Sequence, residues 1–211
     1  KKQVPFQYIL GQAPFYNQDF YVNKHVLIPR PETEIIIEIV KDKTFKNALD
    51  IGTGSGNIAI ILSLQKVAKN ILAIDISKEA LNVAKKNIQK FNISNITLKC
   101  LDFLNVKIDK KFDLIVGNPP YISSDDYKNL PETIKKHEPK IALTDLNDGY
   151  NFYRYIADNF NSFINKKGIM LLEIGLENTK SNINELFKSR GYKTQWYKDY
   201  NRNFRIIKIE K

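Results

Sequence analysis

The chain has 211 residues, 43% hydrophobic and 27% charged, with a net charge of +10. This is enough for one domain and a sizeable core. No apolar run approaches the roughly 20 residues that span a bilayer, and Lys1-Lys2-Gln3-Val4-Pro5 leads into no signal-peptide core, so no membrane partner is expected. A lone cysteine, Cys100, and two distant histidines, His25 and His137, exclude a disulfide framework and give no ligand set for a metal, which suits a reducing cytoplasmic setting.

In chain order, Pro14-Phe15-Tyr16 and Asp19-Phe20-Tyr21-Val22 are aromatic, β-prone runs around Asn17-Gln18, which predicts a hairpin. Val26-Leu27-Ile28 follows and is stopped by Pro29-Arg30-Pro31, two prolines that stiffen the chain. Thr33 is placed to cap an apolar helix running through Ile35 to Val40. From residue 47 strands and helices alternate. Ala48–Ile51, Ile71–Ile74, Ile96–Leu101, Phe112–Val116 and Gly168–Ile174 read as strands. Ile58–Leu64, Lys78–Phe91, Asn151–Phe163 and about Leu176–Arg190 read as helices. In the third of these, Phe152, Tyr155, Ile156, Asn159 and Phe160 fall at helical spacing. Tyr192–Tyr197 and Phe204–Ile209 close the chain with no helix between them. The expected fold is α/β: a doubly wound, seven-stranded, mostly parallel sheet of the Rossmann-like kind, with an antiparallel C-terminal hairpin and an N-terminal β-hairpin. The expected division is an N-terminal stub and hairpin linker over residues 1–30 and a single α/β domain over residues 31–211.

The sharpest local signal is Asp50-Ile51-Gly52-Thr53-Gly54-Ser55-Gly56, between an apolar strand and a helix. Open α/β sheets bind ligands at this end of the first strand, and glycines let the backbone approach closely. A dinucleotide site wants Gly-x-Gly-x-x-Gly aimed at a pyrophosphate; the spacing here is Gly-x-Gly-x-Gly. An acidic Asp50 suits an ammonium or a cationic sulfur better than a phosphate. Asp75 ends the second strand, where a carboxylate can accept both ribose hydroxyls. Asp102-Phe103, after the third strand, offers a carboxylate for an adenine amino group and a ring to pack on the base. These residues point to S-adenosylmethionine, which carries a zwitterionic tail and a sulfonium but no phosphate.

Asn118-Pro119-Pro120-Tyr121 follows the fourth strand, which in this topology ends beside the first. An amide nitrogen is a poor nucleophile because its lone pair is delocalised into the carbonyl. N–H bonds to the Asn118 side-chain oxygen and the Pro119 carbonyl would orient it and accept the charge that develops during transfer. The prolines stiffen that carbonyl, and Tyr121 offers a face for a planar acceptor. The candidate catalytic residues are therefore Asn118, Pro119 and Tyr121. Without further context, a glycine-rich turn, a core Phe103 and a strand-ending Pro-Pro remain structural alternatives.

Ile28-Pro29-Arg30-Pro31-Glu32-Thr33-Glu34, the Gly52–Gly56 loop, Asp75, Asn118–Ile122 and His137-Glu138-Pro139-Lys140-Ile141-Ala142-Leu143 together resemble the protein-(glutamine-N5) methyltransferases of peptide chain release factors, the PrmC/HemK family. The resemblance covers about residues 5–209. It implies methyl transfer from S-adenosylmethionine, leaving S-adenosylhomocysteine, to the glutamine of a Gly-Gly-Gln loop in a release factor. It implies that Gly52, Thr53, Gly54, Ser55, Gly56, Asp75, Phe103 and Asn118 contact the methyl donor, beside Asp102 as read above. It implies that Asn118, Pro119, Pro120 and Tyr121 hold the glutamine, with Arg30 near the pocket mouth as a structural or peptide-contacting residue. Phe103 stands where many members have tryptophan, and Thr144-Asp145 replaces a glycine-rich continuation. Members usually carry a helical domain before the hairpin, whereas this chain starts almost at the hairpin.

The rival reading is a nucleic-acid amino methyltransferase acting on adenine or guanine, which shares the Asn-Pro-Pro-Tyr chemistry and would suit the positive charge. Against it, 211 residues leave no recognition domain, and such enzymes must extract their base. The lysines are also scattered in doublets such as Lys85-Lys86, Lys110-Lys111 and Lys166-Lys167, so direct nucleic-acid binding is not expected. A nicotinamide-dependent oxidoreductase and a non-enzymatic cofactor-binding module are the readings from other classes. The glycine spacing and the Asn118 segment oppose the first, and binding without turnover would mark the second.

Overall fold

The computed structural model describes residues 4–105, 108–175 and 179–211. A short helix, α1 (Phe6–Leu10), leads into the hairpin β1 (Gln12–Phe15) and β2 (Gln18–Tyr21). Its turn lies at Tyr16-Asn17, one residue earlier than the expected Asn17-Gln18, because both central residues take left-handed φ, 49° and 58°. That conformation matches the strand twist of a two-residue turn, and asparagine tolerates it well.

The main sheet has seven strands in the order β5 (Ile96–Cys100), β4 (Ala68–Asp75), β3 (Phe45–Ile51), β6 (Phe112–Gly117), β7 (Ile164–Glu173), β9 (Phe204–Glu210), β8 (Lys193–Lys198). The first five run parallel, and β9 lies antiparallel between β7 and β8. This is the expected α/β sheet with its C-terminal hairpin. The central strands are near-continuous apolar runs because helices cover both faces. One core cluster joins α2 (Glu34–Val40) and α3 (Asn57–Leu64) to the sheet, and it includes Phe15 and Phe20 of the hairpin. A second joins α8 (Asn151–Phe163) and α9 (Lys180–Lys188) to the opposite face. The first part of the helix expected from Leu176 lies outside the described residues. In α8 the buried stripe is Tyr153, Ile156, Ala157, Phe160 and Phe163, so Tyr153 replaces the expected Phe152 and Tyr155 at its centre.

The helix α4 (Lys78–Lys90) is capped by the Ser77 hydroxyl, which accepts from the Ala80 N–H at 3.1 Å. Its Asn87 is fully buried and joins three elements. Asn87 Oδ1 accepts from Tyr21 N, and Nδ2 donates to the carbonyls of Tyr21 and Ser55. Thr33 does not cap α2 with its side chain; it closes a 3₁₀ turn over Pro31–Thr33, and its hydroxyl is used elsewhere. Three further short helices, α5 (Ser124–Lys128), α6 (Glu132–His137) and α7 (Lys140–Leu143), fill the segment after β6. At four to six residues they show too little of a helical period to be read from sequence.

Candidate active site

The switch point of the sheet lies between β3 and β6, where Ile51 pairs with Gly117. The glycine loop leaves β3 there, and Asn118 leaves β6 beside it. A cavity of about 600 Å³ opens over this crevice, within the range of small-molecule sites. Its wall takes in Arg30 and Thr33, the glycine loop, Asp75, Asp102-Phe103, Asn118–Pro120 and the segment around Ile141 and Leu146. The structure thus brings together most of the residues singled out from sequence. Gly56 and Tyr121 are not in the cavity wall.

The glycine loop owes its shape to left-handed φ at Gly52, Gly54 and Gly56, of 67°, 54° and 82°. The loop is stitched to the next strand by Thr53 N donating to Ile74 O at 2.9 Å and Gly54 N donating to Asp75 Oδ2 at 2.9 Å. A Cβ at Gly56 would press at 3.3 Å on both Ala84 and Ile60, so this glycine serves the packing of α3 on α4. Thr53 and Ser55 are buried. Thr53 donates to Asp50 Oδ2 at 2.6 Å, and Ser55 donates to Asn57 Oδ1 at 3.2 Å, so these hydroxyls serve the loop itself. Asp50 does not reach the cavity. It is fully buried behind the loop, Oδ1 meets no hydrogen-bond donor at close range among the described residues, and burial pushes its carboxyl up to about 7. The ammonium or sulfonium role read from sequence is therefore replaced by one of loop support.

Asp75 does face the cavity. Oδ1 accepts from Ser77 N and Oδ2 from Gly54 N, both at 2.9 Å. Each oxygen keeps a lone pair for a further donor, which matches a vicinal diol. Desolvation holds its carboxyl above the usual value. Asp102 lines the wall with Oδ1 taken by Leu104 N and Oδ2 by Asn105 Nδ2. Phe103 is both wall and core: it is 4% exposed and packs on Tyr155 and Phe163, with ring centroids 5.5 and 5.1 Å away.

At the other end Asn118 Nδ2 donates to Thr33 Oγ1 at 3.3 Å, and Thr33 Oγ1 donates to Glu173 Oε2 at 2.5 Å. Tyr121 is turned away from its expected role. Its hydroxyl donates to Glu173 Oε1 at 3.2 Å, and its ring lies where a Cβ on Gly175 would come within 2.8 Å. Burial raises the Tyr121 phenol far above its ordinary value. Glu173 is fully buried at the end of β7 and is pushed up to about 7, chiefly by desolvation. Its backbone carbonyl accepts from Tyr153 Oη at 2.7 Å. A carboxylate closing the apolar run Met170-Leu171-Leu172 was the visible signal that sequence reasoning passed over.

The cavity mouth is clamped by Arg30, whose Nη2 donates to both oxygens of the buried Glu138 at 2.6 and 2.8 Å. This joins the Ile28–Glu34 string to the His137–Leu143 string. The following loop is organised by Asp145, which accepts from the backbone N–H groups of Asn147, Gly149 and Asn151. Gly149 has φ 84°, and a Cβ there would lie 2.4 Å from the Tyr121 carbonyl oxygen. Gly149→Ala is expected to lower stability by about 1–3 kcal/mol and to displace the Tyr121 backbone. Thermal unfolding checks this, and a melting temperature equal to that of the native chain would refute it. Among the described residues no group of His, Cys, Asp and Glu could hold a metal, and no helix is long and apolar enough to cross a membrane.

Comparison with known proteins places this geometry. Residues 31–140 match the family model described as the methyltransferase small domain. The release factor glutamine methyltransferase of Bacillus subtilis is 38% identical over 218 residues, covering 98% of this chain and 75% of that protein. The protein of the same name in Fusobacterium nucleatum is 37% identical, covering all of this chain and 61% of its own length. Among solved structures, a methyltransferase from Pyrococcus furiosus superposes with a TM-score of 0.69 at 19% identity, covering 92% of this chain and 89% of that one. That last likeness speaks for the fold alone.

Proposed function

Since the chain belongs to the release factor glutamine methyltransferases, a family carrying the methyltransferase small domain, we propose that it transfers a methyl group from S-adenosylmethionine to the side-chain amide nitrogen of the glutamine in a release factor's Gly-Gly-Gln loop. The observation that carries this reading is the single cavity that joins Asp75 at one end to Asn118–Pro120 at the other. The chain spans three quarters of the Bacillus subtilis relative and 61% of the Fusobacterium nucleatum one, so the acceptor protein belongs to the proposal.

The residues fit the methyl donor. Asp75 offers two free acceptor positions suited to ribose hydroxyls, the glycine loop gives close backbone approach, and Phe103 supplies an apolar wall. When bound, S-adenosylmethionine supplies an electrophilic methyl on a cationic sulfur. This chain's residues then orient the acceptor. Asn118 Oδ1 and the Pro119 carbonyl accept the N–H groups of the glutamine amide and direct its nitrogen along the axis of attack. They also stabilise the positive charge that grows on nitrogen as its bond to carbon forms and the sulfur–carbon bond breaks. No strong base is needed beforehand, because the acidified N–H proton leaves afterwards to water. Tyr121 acts from behind the wall by fixing the Pro119-Pro120 turn against Glu173.

Asp75→Ala is expected to raise the dissociation constant of S-adenosylmethionine by about 10- to 150-fold, a loss of roughly 1.5–3 kcal/mol. Calorimetric titration reads this directly, and an unaltered constant would make Asp75 a purely structural residue. The activity itself is tested by mass spectrometry of release factors after incubation with the protein and methyl donor. One added methyl on the Gly-Gly-Gln glutamine is expected. Methyl transfer to RNA or DNA with none to the protein would favour the nucleic-acid reading. The setting we propose is the cytoplasm, supported by the exposed, unpaired thiol of Cys100.

A further inference from the structure

A side-chain amide can present either oxygen or nitrogen to a ligand, and only its neighbours decide which. Asn118 must present oxygen to hold an N–H of the acceptor. Its Nδ2 is directed to Thr33 Oγ1, 3.3 Å away. A threonine hydroxyl has one hydrogen. Here that hydrogen goes to Glu173 Oε2, so toward Asn118 the Thr33 oxygen can only accept. The direction of both bonds rests on the Glu173 carboxylate, which when ionised can only accept. Tyr121 donates to its other oxygen, so both Glu173 oxygens are engaged by hydroxyl donors. Thr33 and Glu173 are both buried, so each is held chiefly by its protein partners.

We propose that Thr33 and Glu173 are positioning residues for the reaction: the Glu173 carboxylate polarises the Thr33 hydroxyl, which locks the Asn118 amide with Oδ1 toward the acceptor. The proposal rests on the amide-methylation reading above. Protonation of Glu173 removes the constraint. Its new O–H can donate to Thr33 or Tyr121, Thr33 can then donate to Asn118 Oδ1, and the amide turns its nitrogen toward the acceptor's own N–H groups. The charged and titratable groups facing Glu173 are Arg205 on β9, Glu32 in the 3₁₀ turn, Tyr121 and Tyr153; Arg205 favours the ionised form and Glu32 opposes it. With the Glu173 carboxyl pushed up to about 7, the switch falls in the neutral range. Turnover should therefore rise with pH through about 7, because the productive amide needs the ionised carboxylate.

The experiment compares the native protein with Thr33→Val, Thr33→Ser and Glu173→Gln. Thr33→Val keeps the shape and loses the hydroxyl; it should lower kcat by about 10- to 100-fold with the dissociation constant of S-adenosylmethionine unchanged. Thr33→Ser restores the hydroxyl and should return kcat to within a few-fold. In Glu173→Gln the rise of kcat through neutral pH should disappear. A second readout does not depend on turnover. The side-chain N–H₂ resonances of Asn118, identified by their loss in Asn118→Ala, should titrate near pH 7, shift in Thr33→Val and cease to titrate in Glu173→Gln. Equal kcat in Thr33→Val and Thr33→Ser, or Asn118 resonances indifferent to both changes, would overturn the relay. A native protein that methylates no release factor, yet shows titrating Asn118 resonances, would overturn the choice of acceptor and leave the relay standing.

Discussion

Asn118→Ala is expected to reduce turnover by about 10²- to 10³-fold, the size of effect seen when one aligned hydrogen-bond partner is removed from a developing charge. The loss should fall on kcat, because the acceptor's nitrogen is left without the oxygen that directs it. Binding of S-adenosylmethionine should survive, since the glycine loop and Asp75 are held by β4 and α4 and do not depend on Asn118. Single-turnover methylation together with calorimetric titration separates the two effects. Native-like turnover in this variant would remove the acceptor model altogether.

The second large effect is in stability against pH. Asp50 and Glu173 have ordinary values of 3.8 and 4.5 and are both raised to about 7 by burial. Between those limits the folded chain holds protons that the unfolded chain has released, so stability falls as pH rises. The contribution is complete below about pH 4 and gone above about pH 7, on the order of 3–4 kcal/mol for each group at ~1.4 kcal/mol per unit. Exposed carboxylates such as Asp148, lowered by the hydrogen bond from Arg154, act in the opposite sense but at lower pH. Urea unfolding from pH 5 to 8 should therefore show declining stability, with Glu173→Gln about half as steep. Whatever offset that substitution adds, the slope is what is read. Parallel profiles for the two proteins would show that Glu173 is ionised in the native state throughout.

Much of the sheet was readable because its central strands are apolar runs and the longer helices beside them show a period, as in Ala48–Ile51 and Asn151–Phe163. The antiparallel pairing of β8 with β9 also follows a rule, since no helix separates these last two strands. What escaped was set by tertiary partners. Thr33 has the composition and place of a helix cap, yet its hydroxyl meets a carboxylate 140 residues away. Tyr121 sits in a motif whose chemistry suggests a stacking face, yet a buried Glu173 and the bare surface of Gly175 draw it inward. Asp50 precedes a ligand loop and looks like a ligand residue, but the strand carries it behind that loop. In each case the local pattern gave the residue's neighbourhood, and only the long-range partner gave its direction.

The joint at Asn87 has a consequence for how this chain can vary. One side chain reads three backbone groups at once, two on the hairpin at Tyr21 and one in the glycine loop at Ser55. The asparagine amide presents two donor hydrogens and an acceptor oxygen on a short stem, so aspartate or leucine there would leave at least one of those groups unmet in a dry interior. The hairpin and the loop are thus tied as parts of one lock, and a change in the angle of either must be matched in the other. Inheritance should therefore treat residues 12–21, the Gly52–Gly56 turn and Asn87 as a single unit, kept or remodelled together.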